Sequence, residues 1–164
     1  MHTCNFLFQV KEFYSFCGGL PAPECSDNPL GYKFSWSSRG VLLASLNNAF
    51  FIENSQKKSI PGPELMKNTK PYYITPAFAF VAYPNRDSTP FKEFYKINGE
   101  GEGEVVVRGT LRYQGFPELL GVLVQLGWLD YSEKDWLKEG RTWTWGQLSQ
   151  KMLDTADDKE RYVT

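Results

Sequence analysis

The chain has 164 residues and a net charge of -1, with 41% hydrophobic and 23% charged residues, a balance that fits one globular domain or one domain plus a fragment of a second. Eighteen basic residues against nineteen acidic ones leave no electrostatic footprint for nucleic acid or an anionic membrane. No apolar run approaches the ~20 residues of a membrane span, and three cysteines with one histidine, His2, fall short of a zinc-ligand set.

Residues 1–10 are apolar but short and have no basic leader, so they do not read as a signal peptide. Residues 11–16 read as a strand, broken by Cys17-Gly18-Gly19 and held extended by Pro21 and Pro23. Asp27-Asn28-Pro29-Leu30-Gly31 signals a turn, and residues 32–36 form a second short extended piece. Ser37-Ser38-Arg39-Gly40 opens a helix that either serine can cap, with Val41, Leu42, Ala44, Ser45 and Ala49 behind it. Gly40 in the first turn implies a close neighbour. Residues 54–63 read as a hairpin or surface loop around Pro61-Gly62-Pro63. Residues 72–83 are aromatic and β-branched enough to read as one strand despite Pro76.

Residues 88–95 read as a short helix, and residues 98–104, alternating Gly and Glu, as a flexible acidic loop. Residues 105–113 alternate as a strand does, and residues 116–126 form the clearest helix, opened by Pro117 and stopped by Gly127. A further amphipathic helix follows Trp143-Thr144-Trp145, with Leu148, Met152 and Leu153 on one side. The charged tail, residues 154–164, frays. Strands early and helices late predict an α+β (mixed α/β) fold: a mixed β-sheet with flanking helices and a small helical segment at the C-terminus. No internal repeat is visible.

The usual enzyme motifs are missing. No GxGxxG follows a strand, and Gly99-x-Gly101-x-Gly103 has the wrong spacing and carries glutamates that oppose a phosphate. There is no GxxxxGK[ST] and no GxSxG, and one terminal histidine excludes a histidine-based triad. Cys4, Cys17 and Cys25 read as free thiols in a reducing compartment.

Four polar clusters sit at strand and helix ends. Cys17-Gly18-Gly19 admits a ligand close to the main chain, or is a bulge. Ser35-Trp36-Ser37-Ser38-Arg39 holds a carboxylate at a helix start, or is a capped helix. Asn85-Arg86-Asp87 offers a planar fork for a carboxylate, or is a surface ion pair. Arg108, Thr110 and Arg112 share one strand face, which is either solvated or anion-binding. Together the clusters point to a binder of a polar, carboxylated small molecule.

Longer segments carry a resemblance. Tyr14-Ser-Phe-Cys-Gly-Gly-Leu-Pro-Ala-Pro-Glu24 and Ser26-Asp-Asn-Pro-Leu-Gly-Tyr-Lys-Phe-Ser-Trp-Ser-Ser-Arg-Gly-Val-Leu-Leu-Ala44 resemble saccharopine reductase, the NADP+, L-glutamate-forming saccharopine dehydrogenase family. So do Tyr83-Pro-Asn-Arg-Asp-Ser88 and Arg108-Gly-Thr-Leu-Arg-Tyr-Gln-Gly-Phe116, in order and at matching separations. The chain is also similar to the saccharopine dehydrogenase half of aminoadipate semialdehyde synthase. The likeness runs from about Lys11 to about Leu153; residues 1–9 do not share it, and the loop at 98–104 is longer than the family's connection.

The resemblance implies the substrate-binding part of an enzyme of lysine metabolism. That enzyme reduces the imine of glutamate and α-aminoadipate semialdehyde to saccharopine with NADPH, and also runs in the oxidative direction. It implies a Rossmann domain, a mixed α/β domain for substrate binding and dimerisation, and a small helical domain. This chain resembles the second and the start of the third: residues 1–10 outside the family, 11–130 the substrate-binding and dimerisation domain, and 131–164 the helical start and tail. Neither Rossmann portion is matched. NADP belongs to the complete family enzyme, and none is expected to bind this chain alone. Arg86 is expected to hold a carboxylate, Cys17 and Gly18 to line the pocket, Ser37 and Ser38 to add hydrogen bonds, and Thr110 and then Arg112 to follow.

The expected partners are saccharopine, or glutamate with aminoadipate semialdehyde, and a second copy of the chain, with no nucleic acid or membrane. Tyr72, Tyr73, Phe78 and Phe80 are the candidate apolar face for a homodimer, unless their strand is covered on both sides within the chain. A cytoplasmic setting is implied, or a mitochondrial one within the bifunctional synthase. A non-catalytic dimerisation or interaction module, or a truncated gene product, is the alternative.

Overall fold

A computed structural model describes residues 10–97, 103–138 and 140–156. It divides into two compact units, Met1–Leu120 and Gly121–Thr164. The first unit is built around one strand, β6 (Val105–Tyr113). Its valines and alternating large side chains fit a pleated surface buried on both faces, and only Arg108 and Tyr113 are partly open.

Strand β1 (Glu12–Cys17) lies parallel to β6, from Glu12 opposite Val105 to Cys17 opposite Thr110. On the other side, β5 (Phe80–Pro84) runs antiparallel, from Phe80 opposite Tyr113 to Pro84 opposite Gly109. Strand β2 (Ala49–Glu53) meets the start of β6 at Ile52–Val106 and forms a hairpin with β3 (Gln56–Ile60). The short β4 (Lys70–Pro71) borders β5. The sheet is therefore mixed, as expected of the α+β class.

Side-chain alternation gives the two faces of this sheet different chemistry. Phe80, Ala82 and Leu111 form a buried apolar cluster, with Phe16, Leu20, Tyr72 and Tyr113 packed against it. Thr110 and Arg112 alternate with Leu111 along β6, and their partners on β5 are Tyr83 and Val81. Polar and cationic groups thus fall on the face opposite the apolar cluster.

The helix at 37–40 opens as expected. Ser37 caps α1 (Ser38–Leu43) by accepting from the Gly40 N–H at 3.1 Å. The turn at Asn28 also holds: its Oδ1 accepts from the N–H groups of Leu30 and Tyr32, and Gly31 takes φ +54°. Residues 54–63 do contain a hairpin, turned at Asn54 and Ser55, but the segment ends in the first turn of a short helix, α2 (Gly62–Leu65), with Pro63 as its second residue.

Two expectations need correction. Residues 72–83 are not one strand: after β4 the chain loops through 72–79 and returns as β5, with Tyr72 N–H donating to Phe80 O. Pro76 has no N–H for a ladder, so a strand through it would have a missing bond at its centre. Residues 32–36 have no ladder partner; Tyr32 alone is buried there.

The short helix expected at 88–95 is α3 (Phe91–Phe94). The acidic loop at 98–104 lies largely outside the described residues, but its end is anchored. Glu104 is buried, pairs with Lys92 at 2.7 Å, and donates its N–H to Ser55 Oγ. Helix α4 (Phe116–Gln125) buries Phe116, Pro117 and Leu120, and Gly127 ends the apolar run with φ +76°.

In the second unit, α5 (Trp145–Leu153) starts with a capping box in which Thr144 and Gln147 exchange side-chain and backbone hydrogen bonds. Trp136 and Trp143 meet edge to face at 5.1 Å, and Arg141 lies over Trp143. Lys134 pairs with Asp130, and its hydrogen bond, with those from the Ser132 N–H and hydroxyl, pulls the Asp130 carboxyl pKa down to about 2. The tail beyond residue 156 lies outside the described residues. No helix among the described residues is long and apolar enough to cross a membrane.

Candidate functional site

The polar face of the sheet opens into a cleft of about 680 Å³, a volume typical of small-molecule sites. Its floor is buried: Tyr83 from β5, Thr110 and Arg112 from β6, and Val41 from α1. Its rim is exposed: Cys17 at the end of β1 with Gly18 and Gly19 after it, Trp36 and Gly40 at the start of α1, and Arg86 after β5. Three segments far apart in sequence meet here because β6 pairs with β1 on one edge and β5 on the other. Thr110 is the direct partner of both Cys17 and Tyr83.

Gly18 shows how tight this meeting is. A Cβ on Gly18 would land on the Leu111 carbonyl oxygen and lie 3.2 Å from Arg112 Nη1. Only glycine lets the β1 exit lie against β6 at this point. The close neighbour expected at Gly40 is not there. A Cβ there would meet only the Ser37 side chain, at 3.4 Å and beyond, and the open space in front of Gly40 belongs to the cleft.

Arg86 sits in the left-handed region at φ +53°, a conformation L-residues adopt at some cost. Its neighbours hold it there. Its carbonyl accepts from Phe50 N–H at 2.8 Å, Asn85 N–H donates to Arg108 O, and Ser88 N–H donates to Phe50 O. The fully buried Ser88 accepts from Arg108 N–H at 2.9 Å. Asp87 does not pair with Arg86. Its carboxylate accepts from the Thr89 hydroxyl and N–H, and the hydroxyl bond is the larger reason its carboxyl lies below the usual range.

The electrostatics have one sign. Arg86 and Arg112 both line the cleft, and among the described residues no Asp or Glu does. Among the described residues, no carboxylate lies within ion-pair distance of either arginine. Arg108 points elsewhere, stacking over the Phe91 ring at 3.8 Å. Burial pushes the Tyr83 hydroxyl up, opposed by Arg112, so it is a neutral donor at the cleft floor. No group of three metal-ligating side chains is found among the described residues. The chemistry on offer is therefore recognition of an anion: two guanidinium groups, two hydroxyls and the open backbone of Cys17–Gly19.

Of the expected site residues, Cys17, Gly18, Arg86 and Thr110 line one cleft, and Arg112 joins them. Ser37 and Ser38 do not line it; both are exposed, and the Ser37 hydroxyl is engaged as the helix cap. Sequence reading did not single out Tyr83, although it begins the Tyr83–Ser88 motif and would face the cleft by strand alternation.

The family described as "Saccharopine dehydrogenase C-terminal domain" matches residues 1–159, a span that includes residues 1–9. The chain is 56% identical over 155 residues to the saccharopine dehydrogenase [NADP(+), L-glutamate-forming] of Pyricularia oryzae, covering 94% of this chain and 33% of that protein. It is 38% identical over 154 residues to the alpha-aminoadipic semialdehyde synthase of Arabidopsis thaliana, covering 93% of this chain and 14% of the relative. The solved apo saccharopine dehydrogenase (L-Glu forming) of Saccharomyces cerevisiae superposes with a TM-score of 0.79 at 49% identity, over 91% of this chain and 32% of that one. This chain thus spans about a third of the length of the dehydrogenases it matches.

Proposed function

We propose that this chain, which belongs to the saccharopine dehydrogenase C-terminal domain family, is the substrate-binding portion of an NADP+-dependent, L-glutamate-forming saccharopine dehydrogenase. The observation that carries the reading is a cleft lined by two arginines and, among the described residues, by no carboxylate. Saccharopine has three carboxylates, and a planar guanidinium binds a carboxylate through two parallel hydrogen bonds. In this reading Arg86 holds one carboxylate at the rim. Thr110 and Tyr83 donate from the floor, and the Cys17–Gly19 backbone closes on the ligand.

In the overall reaction a nicotinamide dinucleotide supplies or takes the hydride. The described residues do not fit that group. The chain leaving β1 passes through Cys17-Gly18-Gly19 into a 3-10 turn at Pro23–Cys25, and not into a helix whose amides could cradle a pyrophosphate. The reading therefore gives dinucleotide binding to the parts of the longer relatives that this chain does not span. It also places the protein in the cytoplasm, or in mitochondria if it is part of a synthase, and makes it a homodimer. Of the expected apolar face, Tyr73 and Phe78 are exposed on the loop after β4 and support that last element, whereas Phe80 is buried and Tyr72 packs against it within the chain.

Calorimetry with L-saccharopine tests the reading. Arg86→Met is expected to weaken binding roughly 10- to 100-fold, the range for loss of a charge-assisted contact. The variant keeps the same left-handed backbone demand as arginine, so the fold is expected to survive. Unchanged affinity removes Arg86 from the site, and absence of binding by the unaltered chain removes the substrate.

A further inference from the structure

The segment from Asn85 to Ser88 fills a gap in the sheet. Strand β2 pairs with β6 at Ile52–Val106, and β5 pairs with it from Gly109 onward. Arg108 lies between the two ladders. A hydrogen-bonded antiparallel pair exchanges two backbone bonds. Asn85 supplies one of them, donating its N–H to Arg108 O at 2.9 Å. The other, which the Asn85 carbonyl would accept in a continued ladder, runs from Arg108 N–H to the Ser88 hydroxyl at 2.9 Å. The same hydroxyl donates back to Arg108 O at 3.3 Å. Serine can do both because its hydroxyl is donor and acceptor at once. On the opposite side Asp87 forms a parallel bridge with Phe50, whose N–H donates to Arg86 O and whose carbonyl accepts from Ser88 N–H. Ser88 is 0% exposed, so solvent does not compete for these bonds.

The chain makes this detour at Arg86. Its φ of +53° is a conformation that persists only where the surroundings impose it. Resting on the reading that Arg86 holds a carboxylate, we infer that Ser88 is a positioning residue for Arg86. By standing in for a strand residue opposite Arg108, its hydroxyl fixes the left-handed turn and so keeps the Arg86 side chain at the cleft rim. Ser88 itself does not line the cleft, so its effect on a ligand passes through Arg86. Alanine at position 88 would leave Arg108 N–H without its partner and free the turn to relax toward an ordinary backbone conformation.

The test uses the unaltered chain, Ser88→Ala, Arg86→Met and the double variant, with L-saccharopine as the probe. Calorimetry is expected to show roughly 5- to 50-fold weaker binding in Ser88→Ala, within the loss for Arg86→Met. In the Arg86→Met background the same change is expected to cost less than about twofold, because the residue it acts through is gone. In NMR spectra of the free chains, the coupling between the Arg86 amide and α protons, which reports φ, is expected to differ between the unaltered chain and Ser88→Ala. Undiminished affinity in Ser88→Ala, an equal loss in both backgrounds, or an unchanged Arg86 coupling overturns the inference and leaves the substrate reading standing. Absence of saccharopine binding by the unaltered chain overturns that reading and the inference with it. If Ser88→Ala does not fold, Ser88→Cys, which fills the space with a weaker hydrogen-bonding group, takes its place in both measurements with the same deciding outcomes.

Discussion

Phe116→Ala is expected to destabilise the chain by about 3–5 kcal/mol, the range for emptying a buried phenylalanine site. Thermal unfolding would register this as a fall of roughly 6–20 °C in the midpoint, taking about 2–4 °C per kcal/mol for a chain of this size. Phe116 is 2% exposed at the first turn of α4, where Pro117 sets the helix direction. Its ring centroid is 5.5 Å from that of Tyr32. Neither neighbour can collapse into the space cheaply, because Tyr32 is tied to the Asn28 turn and Arg112 to Leu111. The same substitution removes one of the two rings, those of Tyr32 and Phe116, that lie 5.0 and 5.1 Å from the Arg112 guanidinium. Ligand affinity is therefore expected to fall as well, measured at a temperature where the variant is folded. A loss of stability below about 1 kcal/mol, the middle of the range for ordinary substitutions, would contradict this account of the Tyr32–Arg112–Phe116 stack.

Gly18→Ala is the second large effect. The added methyl would lie 2.1 Å from the Leu111 carbonyl oxygen, a backbone atom inside the central strand. Relief requires the β1 exit to move away from β6 just beyond the Cys17–Thr110 pair. Overpacking of this kind costs typically 1–3 kcal/mol, and rigid backbone on one side puts this case toward the upper end. Because Cys17–Gly19 forms one rim of the cleft, affinity for a carboxylated ligand is expected to drop by more than about tenfold in the same variant. Denaturant titration and calorimetry read the two effects separately. Wild-type stability with wild-type affinity would show that the loop does not depend on this close approach.

How far the sequence could be read differs by element, for physical reasons. Residues 105–113 and 116–126 carried their own signals: strand alternation in one, and Pro117 with Gly127 bounding an apolar run in the other. Both became elements with nearly those limits. Residues 72–83 misled because aromatic content imitates a strand, whereas the missing N–H of Pro76 rules out a continuous ladder. Helix α2 was hidden because Pro-Gly-Pro signals a turn and a short helix start equally well.

The site was legible as separate motifs but not as a place. That Thr110 stands between Cys17 and Tyr83 depends on the pairing of three strands, which no local pattern encodes. The same gap applies to Ser37, whose capping partner, the Gly40 N–H, is visible only in the structure. It also explains Arg112, which alternation placed beside Arg108 although the two end in different surroundings.

The central claim is that this cleft receives a ligand rich in carboxylates. A titration of the isotopically labelled chain with L-saccharopine, followed by amide NMR, addresses it most directly, with L-lysine and its single carboxylate as the comparison. The account predicts shifts concentrated at Cys17–Gly19, Arg86, Thr110 and Arg112, with Trp143 and Trp145 unmoved, and far weaker changes with L-lysine. A spectrum unchanged at millimolar saccharopine, or shifts lying away from the cleft, would contradict it.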